Sequence, residues 1–226
     1  MNSTHLAFLL DLFSGLAWTI VYFQAIRVGL RDKSYAMPLA ALGLNIAWEG
    51  IYAVRSLSDG VSAQGIINLI WCLFDVGIVY TYLKYGRREL HAFVSRPMFL
   101  GWFAAVMLAS FAVQGLFLVE FGDLAPLYSA FLQNLLMSGL FIAMLISRRG
   151  LRGQNMTIAV AKWLGTLAPT ISIGLLKGYS FALWVGLLCS IFDLMYIALI
   201  RRLEKNPNLF QVERQAPAEF ARPPAS

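Results

Sequence analysis

The stretch LNIAWEGIYAV, residues 44–54, sets a glutamate, Glu49, inside a run that is otherwise nearly all apolar. Upstream the apolar character extends to Met37, so residues 37–54 approach the ~20 residues a helix needs to cross a ~30 Å hydrocarbon core. Six more segments of this kind flank it, at 6–28, 63–83, 97–119, 126–147, 157–176 and 179–200. With 59% hydrophobic and 13% charged residues, the composition lies outside that of soluble domains. The fold expected is all-α: a seven-transmembrane helix bundle over residues 1–205, followed by a polar, proline-rich cytoplasmic tail, 206–226, that reads as disordered.

Basic residues sort to alternate loops. Thirteen lie between segments 1 and 2, 3 and 4, 5 and 6, and at 201–205 directly after segment 7, whereas the other side holds only Arg55 and Lys177. Lys and Arg accumulate on the cytoplasmic side, so the N-terminus is expected outside and the C-terminus inside. The net charge of +6 follows from this bias and gives no reason to propose nucleic acid. A basic rim facing anionic lipid is the plain reading. The first apolar run is too long for a cleavable signal, lacks a basic leader and includes Asp11. Cys72 and Cys189 fall inside spans and form neither a disulfide framework nor a metal motif.

The chain also matches itself. RVGLRDKS from Arg27 matches RRGLRGQN from Arg148, CLFD ending at Asp75 matches CSIFD ending at Asp193, and Ser14-Gly15-Leu16 matches Ser138-Gly139-Leu140. In chain order the offsets are 124, 121 and 118. They describe a 3+1+3 parallel repeat with segment 4 as linker, or else coincidence in biased apolar sequence. In this alignment Glu49 faces Thr170, so the glutamate belongs to one half only.

An ionisable group at membrane depth costs on the order of 3 kcal/mol on insertion scales and usually marks a cavity or pathway. Asp11, Glu49, Asp75, Lys162 and Asp193 qualify. Helical spacing sets Asn45, Trp48, Glu49 and Tyr52 on one stripe; Asp11, Ser14, Gly15, Trp18 and Tyr22 on another; Asn68, Trp71 and Asp75 on a third; Cys189, Asp193 and Tyr196 on a fourth. Lys162 shares a face with Thr166, Pro169 and Thr170. From the ~1.5 Å rise per residue, Glu49 and Asp11 come out roughly 8 to 9 Å below the outer boundary, and Asp75, Asp193 and Lys162 roughly 10 Å above the inner one. Two polar layers are therefore expected, the inner one pairing Lys162 with Asp75 or Asp193. Asp11, close to a span end, is expected to face water. Burial disfavours the charged form of a carboxyl that lacks a cationic partner, which makes Glu49 the better proton donor.

No metal-ligand cluster, DDxxD pair, glycine-rich phosphate loop or serine hydrolase pattern occurs, and no cofactor is expected. An aromatic cavity with isolated acids suits proton chemistry on a hydrophobic molecule, because Trp, Tyr and Phe faces stabilise a carbocation in a site that excludes water.

Asn45-Ile46-Ala47-Trp48-Glu49 with Tyr52, and Phe192-Asp193-Leu194-Met195-Tyr196, resemble the integral-membrane terpene cyclases of meroterpenoid and indole-terpenoid biosynthesis, the paxilline and pyripyropene type. That resemblance implies a small, seven-spanning, metal-free enzyme. Its members protonate the terminal epoxide or alkene of a prenyl chain attached to an aromatic or polyketide group, an isomerase- or lyase-type reaction. It carries the family's acidic pair onto Glu49 and Asp193, does not by itself assign Asp75 a role, and leaves Lys162 unexplained. The expected site is then Glu49 as general acid; Asp193 as second acid or as the group that orients or reloads Glu49; Asp75 as a further acid; Trp48, Trp71, Tyr52 and Tyr196 along the cation path; and Asn45 and Asn68 as hydrogen-bonding anchors. The expected partners are a prenylated aromatic small molecule and the lipid bilayer, in a bacterial plasma membrane or an endoplasmic reticulum. The competing class is a small SWEET-like seven-helix transporter, against which stand the absence of any Pro-Gln pair and the asymmetry of Glu49.

Overall fold

The structure is a computed structural model that describes residues 3–58, 60, 62–90 and 93–207. Among them there is no strand, and seven long helices follow in order: α1 (Ser3–Asp32), α2 (Leu39–Ser58), α3 (Ala63–Tyr85), α4 (Arg96–Phe121), α5 (Ala125–Arg148), α6 (Met156–Pro169) and α7 (Ser180–Lys205). The tail beyond Pro207 and His91 lie outside the described residues. Side-chain caps start three of the helices: Ser62 accepts from Gly65 N–H at 3.0 Å, Ser95 from Met98 N–H at 3.4 Å and Asn155 from Ile158 N–H at 2.8 Å.

Segment 6, expected as one uniform helix, changes its winding. After Pro169 it continues as a π-helix, Thr170–Leu176, whose closing bond runs from Lys177 N–H to Ser172 O at 3.2 Å. Proline has no N–H to give the preceding turn and its ring crowds that turn, so the ladder slips at this point.

Five stretches are long and apolar enough to cross a membrane: Ser3–Asp32, Gln64–Glu89, Arg96–Arg148, Met156–Leu176 and Ser180–Lys205. The third, 53 residues long, contains both α4 and α5. The segment α2, which carries Asn45, Glu49 and Arg55, is not among the five. Outward faces are apolar, with Leu108 at 73% and Val119 at 83% exposure on α4, as suits a surface solvated by lipid chains rather than water.

In the packing, α1 lies on α6 and α3; α2 on α3, α4 and α5; α7 on α5 and α6. Exchanging α1, α2, α3 for α5, α6, α7 maps the pairs α1·α3, α2·α3 and α1·α6 onto α5·α7, α6·α7 and α5·α2, all of which occur. The main apolar core, including Met37, Leu42, Ile78, Met137, Phe141 and Ile158, fills one end of the bundle. Over that end the two matching loops meet. Arg148 Nε donates to Glu89 Oε2 at 2.8 Å with its guanidinium 4.2 Å from the Tyr35 ring, and the Ser34 hydroxyl donates to Glu89 Oε1. Arg152 donates to the carbonyls of Asp32 and Lys33 at 3.3 and 3.0 Å. The opposite end of the bundle is hollow.

Candidate functional site

The hollow is a cavity of about 640 Å³ walled by α1, α2, α3, α5, α6 and the π-helix. Asp11, Arg55, Gln64 and Asp123 stand at its mouth, Tyr22, Asn45 and Gln133 at its floor. From Arg55 to Asn45 along α2 the depth is about 15 Å at 1.5 Å per residue. The helical stripes explain the lining. On α2 the i, i+3, i+4, i+7 set Asn45, Trp48, Glu49 and Tyr52 all faces inward, and on α3 Asn68 and Trp71 do so.

At the floor, Tyr22 from α1 donates its O–H to Glu49 Oε1. Asn45 Nδ2 lies 3.0 Å from the same oxygen, 2.6 Å from Tyr22 Oη and 2.9 Å from Asp75 Oδ2 on α3. Asn45 Oδ1 in turn accepts from Gln133 Nε2 on α5 at 3.5 Å, and Gln133 Oε1 from Gln114 Nε2 on α4 at 2.7 Å. Glu49 is 1% exposed and Asp75 0%. Glu49 Oε2 and Asp75 Oδ1 accept no hydrogen bond from a donor among the described residues, and the two carboxyls lie within hydrogen-bonding reach of each other.

Aromatic rings stand around this group. Tyr22 lies 6.1 Å from Trp18, 5.9 Å from Trp71 and 6.2 Å from Phe74, and Trp48 lies 5.0 Å from Tyr52. Trp48 and Trp71 spend their indole N–H groups on Pro126 O at 3.1 Å and Thr19 Oγ1 at 3.2 Å. At the mouth Arg55 pairs with Asp123 at 2.6 Å. Asp11, with its side chain 44% exposed, accepts from Ser172 at 2.5 Å and lies 3.5 Å from Lys177. Among the described residues no three His, Cys, Asp or Glu side chains converge on one point.

The expected site residues therefore divide. Glu49, Asn45, Trp48, Tyr52, Asn68 and Trp71 line one cavity, and Asp75 sits directly behind Asn45. Of the two partners expected for Lys162 in the inner layer, the structure supplies Asp193. Lys162 donates to Asp193 Oδ1 and to Ser138 Oγ, both at 2.7 Å, and not to Asp75. The reason is helix adjacency: α3 packs on α1 and α2, whereas α6 packs between α1 and α7, so Asp75 and Lys162 stand on helices that do not adjoin. Asp193 and Tyr196 lie outside the cavity lining. Tyr196 is buried against Phe141 and donates to Gln154 Oε1 at 2.8 Å, so it does not line this cavity. Sequence reading placed Tyr22 on an inward stripe without a role, and passed over Gln114 and Gln133. All three were detectable as hydrogen-bonding side chains at membrane depth.

A family model, the Pyr4-like transmembrane terpene cyclases, matches residues 2–206. The chain belongs to this family. Among its relatives, the Pyr4-family terpene cyclase mfmH of Annulohypoxylon moriforme is 34% identical over 68% of this chain and 64% of its own. The terpene cyclase pyr4 of Aspergillus fumigatus is 28% identical over 87% of this chain and 86% of its own, and the terpene cyclase ascF of Acremonium egyptiacum 33% over 75% and 66%. The chain thus spans just under two thirds of the first and third relatives and most of the second. No solved structure matches it. Membership of a transmembrane cyclase family accounts for the apolar helices as those of an integral membrane protein, and the transporter reading finds no support among these relatives.

Proposed function

We propose that this protein is a membrane terpene cyclase in which Glu49 protonates the end of a prenyl chain carried by an aromatic or polyketide head group, without a metal. The observation that carries the proposal is the floor of the cavity: a buried carboxyl, one oxygen unpartnered, in a pocket of Trp and Tyr faces. Asn45 bridges Asp75 Oδ2 and Glu49 Oε1 at 2.9 and 3.0 Å, so the two carboxyls are close neighbours with no cation between them. Two carboxylates that near in an apolar site resist ionising together, and the pair retains a proton. Asp75, closed off from the cavity, then keeps Glu49 in its acid form. The O–H bond of Glu49 breaks, its electron pair stays on the carboxylate, and the proton forms a C–H bond at a terminal alkene, whose π bond opens to a cation, or an O–H bond at an epoxide oxygen, whose C–O bond breaks to leave the cation on carbon. Internal double bonds quench the cation in turn, aromatic faces stabilise it, and loss of a proton from the last cation makes the product an isomer of the substrate.

The polar mouth takes the head group and the aromatic depth takes the tail, so the substrate enters tail first. Asp193 serves this reading as an anchor: paired with Lys162, it ties α7 to α6 beside the cavity. Seven spans, with the N-terminus and the cavity mouth on the outer side, complete the proposal; the loop charges support it.

The test is to incubate membranes containing wild type or Glu49→Gln with farnesylated and geranylgeranylated aromatic compounds, with and without a terminal epoxide, and to identify products by mass spectrometry and NMR. Wild type is expected to yield a cyclised isomer. The variant should lose at least about 100-fold in rate, the lower range for a general acid. Turnover by Glu49→Gln at the wild-type rate would overturn the assignment.

A further inference from the structure

If Glu49 is the acid, its two oxygens are not equivalent. Oε1 accepts from the Tyr22 hydroxyl and shares, at 3.0 Å, the Asn45 N–H that also reaches Tyr22 Oη, the second N–H going to Asp75 Oδ2. Asn45 cannot turn to offer its carbonyl instead, because Oδ1 already accepts from Gln133, and Gln133 is oriented by Gln114 in the same sense. From α4 through α5 to α2, every amide in the chain points its N–H groups toward the carboxyls. Oε2 accepts no such bond, Asp75 lies within hydrogen-bonding reach of the same carboxyl, and Glu49 lines the cavity. An oxygen that accepts two hydrogen bonds is the one on which negative charge is best stabilised, so the proton belongs on the other.

We infer that Tyr22 is a positioning residue of the cyclase: by holding Glu49 Oε1 it presents Oε2–H to the substrate, and it stabilises the carboxylate that proton transfer leaves behind. The inference rests on the reading of Glu49 as the acid. When the Oε2–H bond breaks, the electron pair spreads onto Oε1, and the bond from Tyr22 changes from neutral to charge-assisted, which is about twice as strong. An interaction that strengthens along the reaction lowers the barrier rather than merely binding the ground state. Tyr22 is built for the task. Its ring is clamped by Trp18, Trp71 and Phe74, and its oxygen accepts from Asn45 at 2.6 Å, so the hydroxyl proton has one direction left, toward Glu49.

Tyr22→Phe keeps the ring and removes only the hydroxyl. Measured on a substrate that wild type cyclises, kcat is expected to fall on the order of 100-fold, as for loss of one donor to a developing charge, with KM changed less than about twofold. Infrared difference spectra supply a readout that a packing role would not move: a protonated-carboxyl C=O band, absent in Glu49→Gln, is expected at higher frequency in Tyr22→Phe because its hydrogen bond is gone. Wild-type kcat in Tyr22→Phe, alongside an inactive Glu49→Gln, overturns the inference and leaves the acid assignment standing. Full activity in Glu49→Gln removes both. Should Tyr22→Phe fail to fold, the wild-type spectrum decides, since a Glu49 band at the frequency of a free carboxyl overturns the role of Tyr22.

Discussion

Lys162 and Asp193 are withdrawn from water, their side chains 0% and 1% exposed with Nζ and Oδ1 2.7 Å apart. Ser138 accepts a second bond from the ammonium. A buried pair of this kind contributes little net stability, because the desolvation of both ions offsets their attraction, yet removing one partner strands a charge at a cost of about 3–5 kcal/mol. Lys162→Met and Asp193→Leu are therefore each expected to lower the thermal unfolding midpoint in detergent steeply, while the double variant recovers most of the loss. If Asp193 is an anchor, the double variant also cyclises; a stable but inactive double variant would instead give Asp193 a part in the chemistry. Sequence reading identified these ionisable residues in apolar segments and left the partner of Lys162 open between Asp75 and Asp193. Spacing shows which face of a helix a residue occupies, and Glu49 and Asn45 were legible on that ground. It says nothing of which helix stands opposite, and so it does not decide between Asp75 and Asp193 for Lys162, nor bring Asp75 to Asn45.

The weakest tolerance to added volume in the described helices lies where the π-helix meets α7. A Cβ on Gly186 would stand 2.0 Å from Thr170 Oγ1 and 2.5 Å from its Cγ2, and one on Gly174 would stand 2.7 Å from the backbone of Leu183. These contacts let α7 approach the segment that walls the cavity beside Pro169 and Ile173. Overpacking of a filled site costs typically about 1–3 kcal/mol, so Gly186→Ala should lower the midpoint accordingly. Thr170→Ala in the same chain removes the two nearest atoms and should restore part of the loss, whereas Gly174→Ala meets main chain and has no such remedy. Equal midpoints for Gly186→Ala with and without Thr170→Ala would show that the obstacle lies elsewhere. Helix extents were legible to within a few residues because hydropathy reports burial in lipid. The change of winding after Pro169 was not, because a proline in an apolar run marks a disturbance without saying whether the chain kinks, breaks or rewinds.

At the scale of the molecule, the bundle is closed at one end and hollow at the other. A carrier built from two such halves must open each end in turn. Here one end is filled with core side chains and held by Glu89 and Arg148, whose side chains are 10% and 8% exposed, with Ser34 and Tyr35 packed on them. An acid at the bottom of a pocket open on one side can take a tail in and let a product out by the same route, and bulk water does not pass through. The proposed topology puts the mouth on the outer side, because the closed end carries the arginine-rich loops and the mouth does not. Ser58, exposed at the mouth end of α2, and Arg88, exposed after α3, report the two sides. With Cys72 and Cys189 replaced, Ser58→Cys expressed in a bacterial plasma membrane should react with a membrane-impermeant maleimide on whole cells, and Arg88→Cys only after permeabilisation. The reverse pattern would put the mouth in the cytoplasm and overturn the proposed topology. With the expected pattern, the head group of the proposed substrate sits at the outer face and its prenyl tail reaches Glu49 down the pocket.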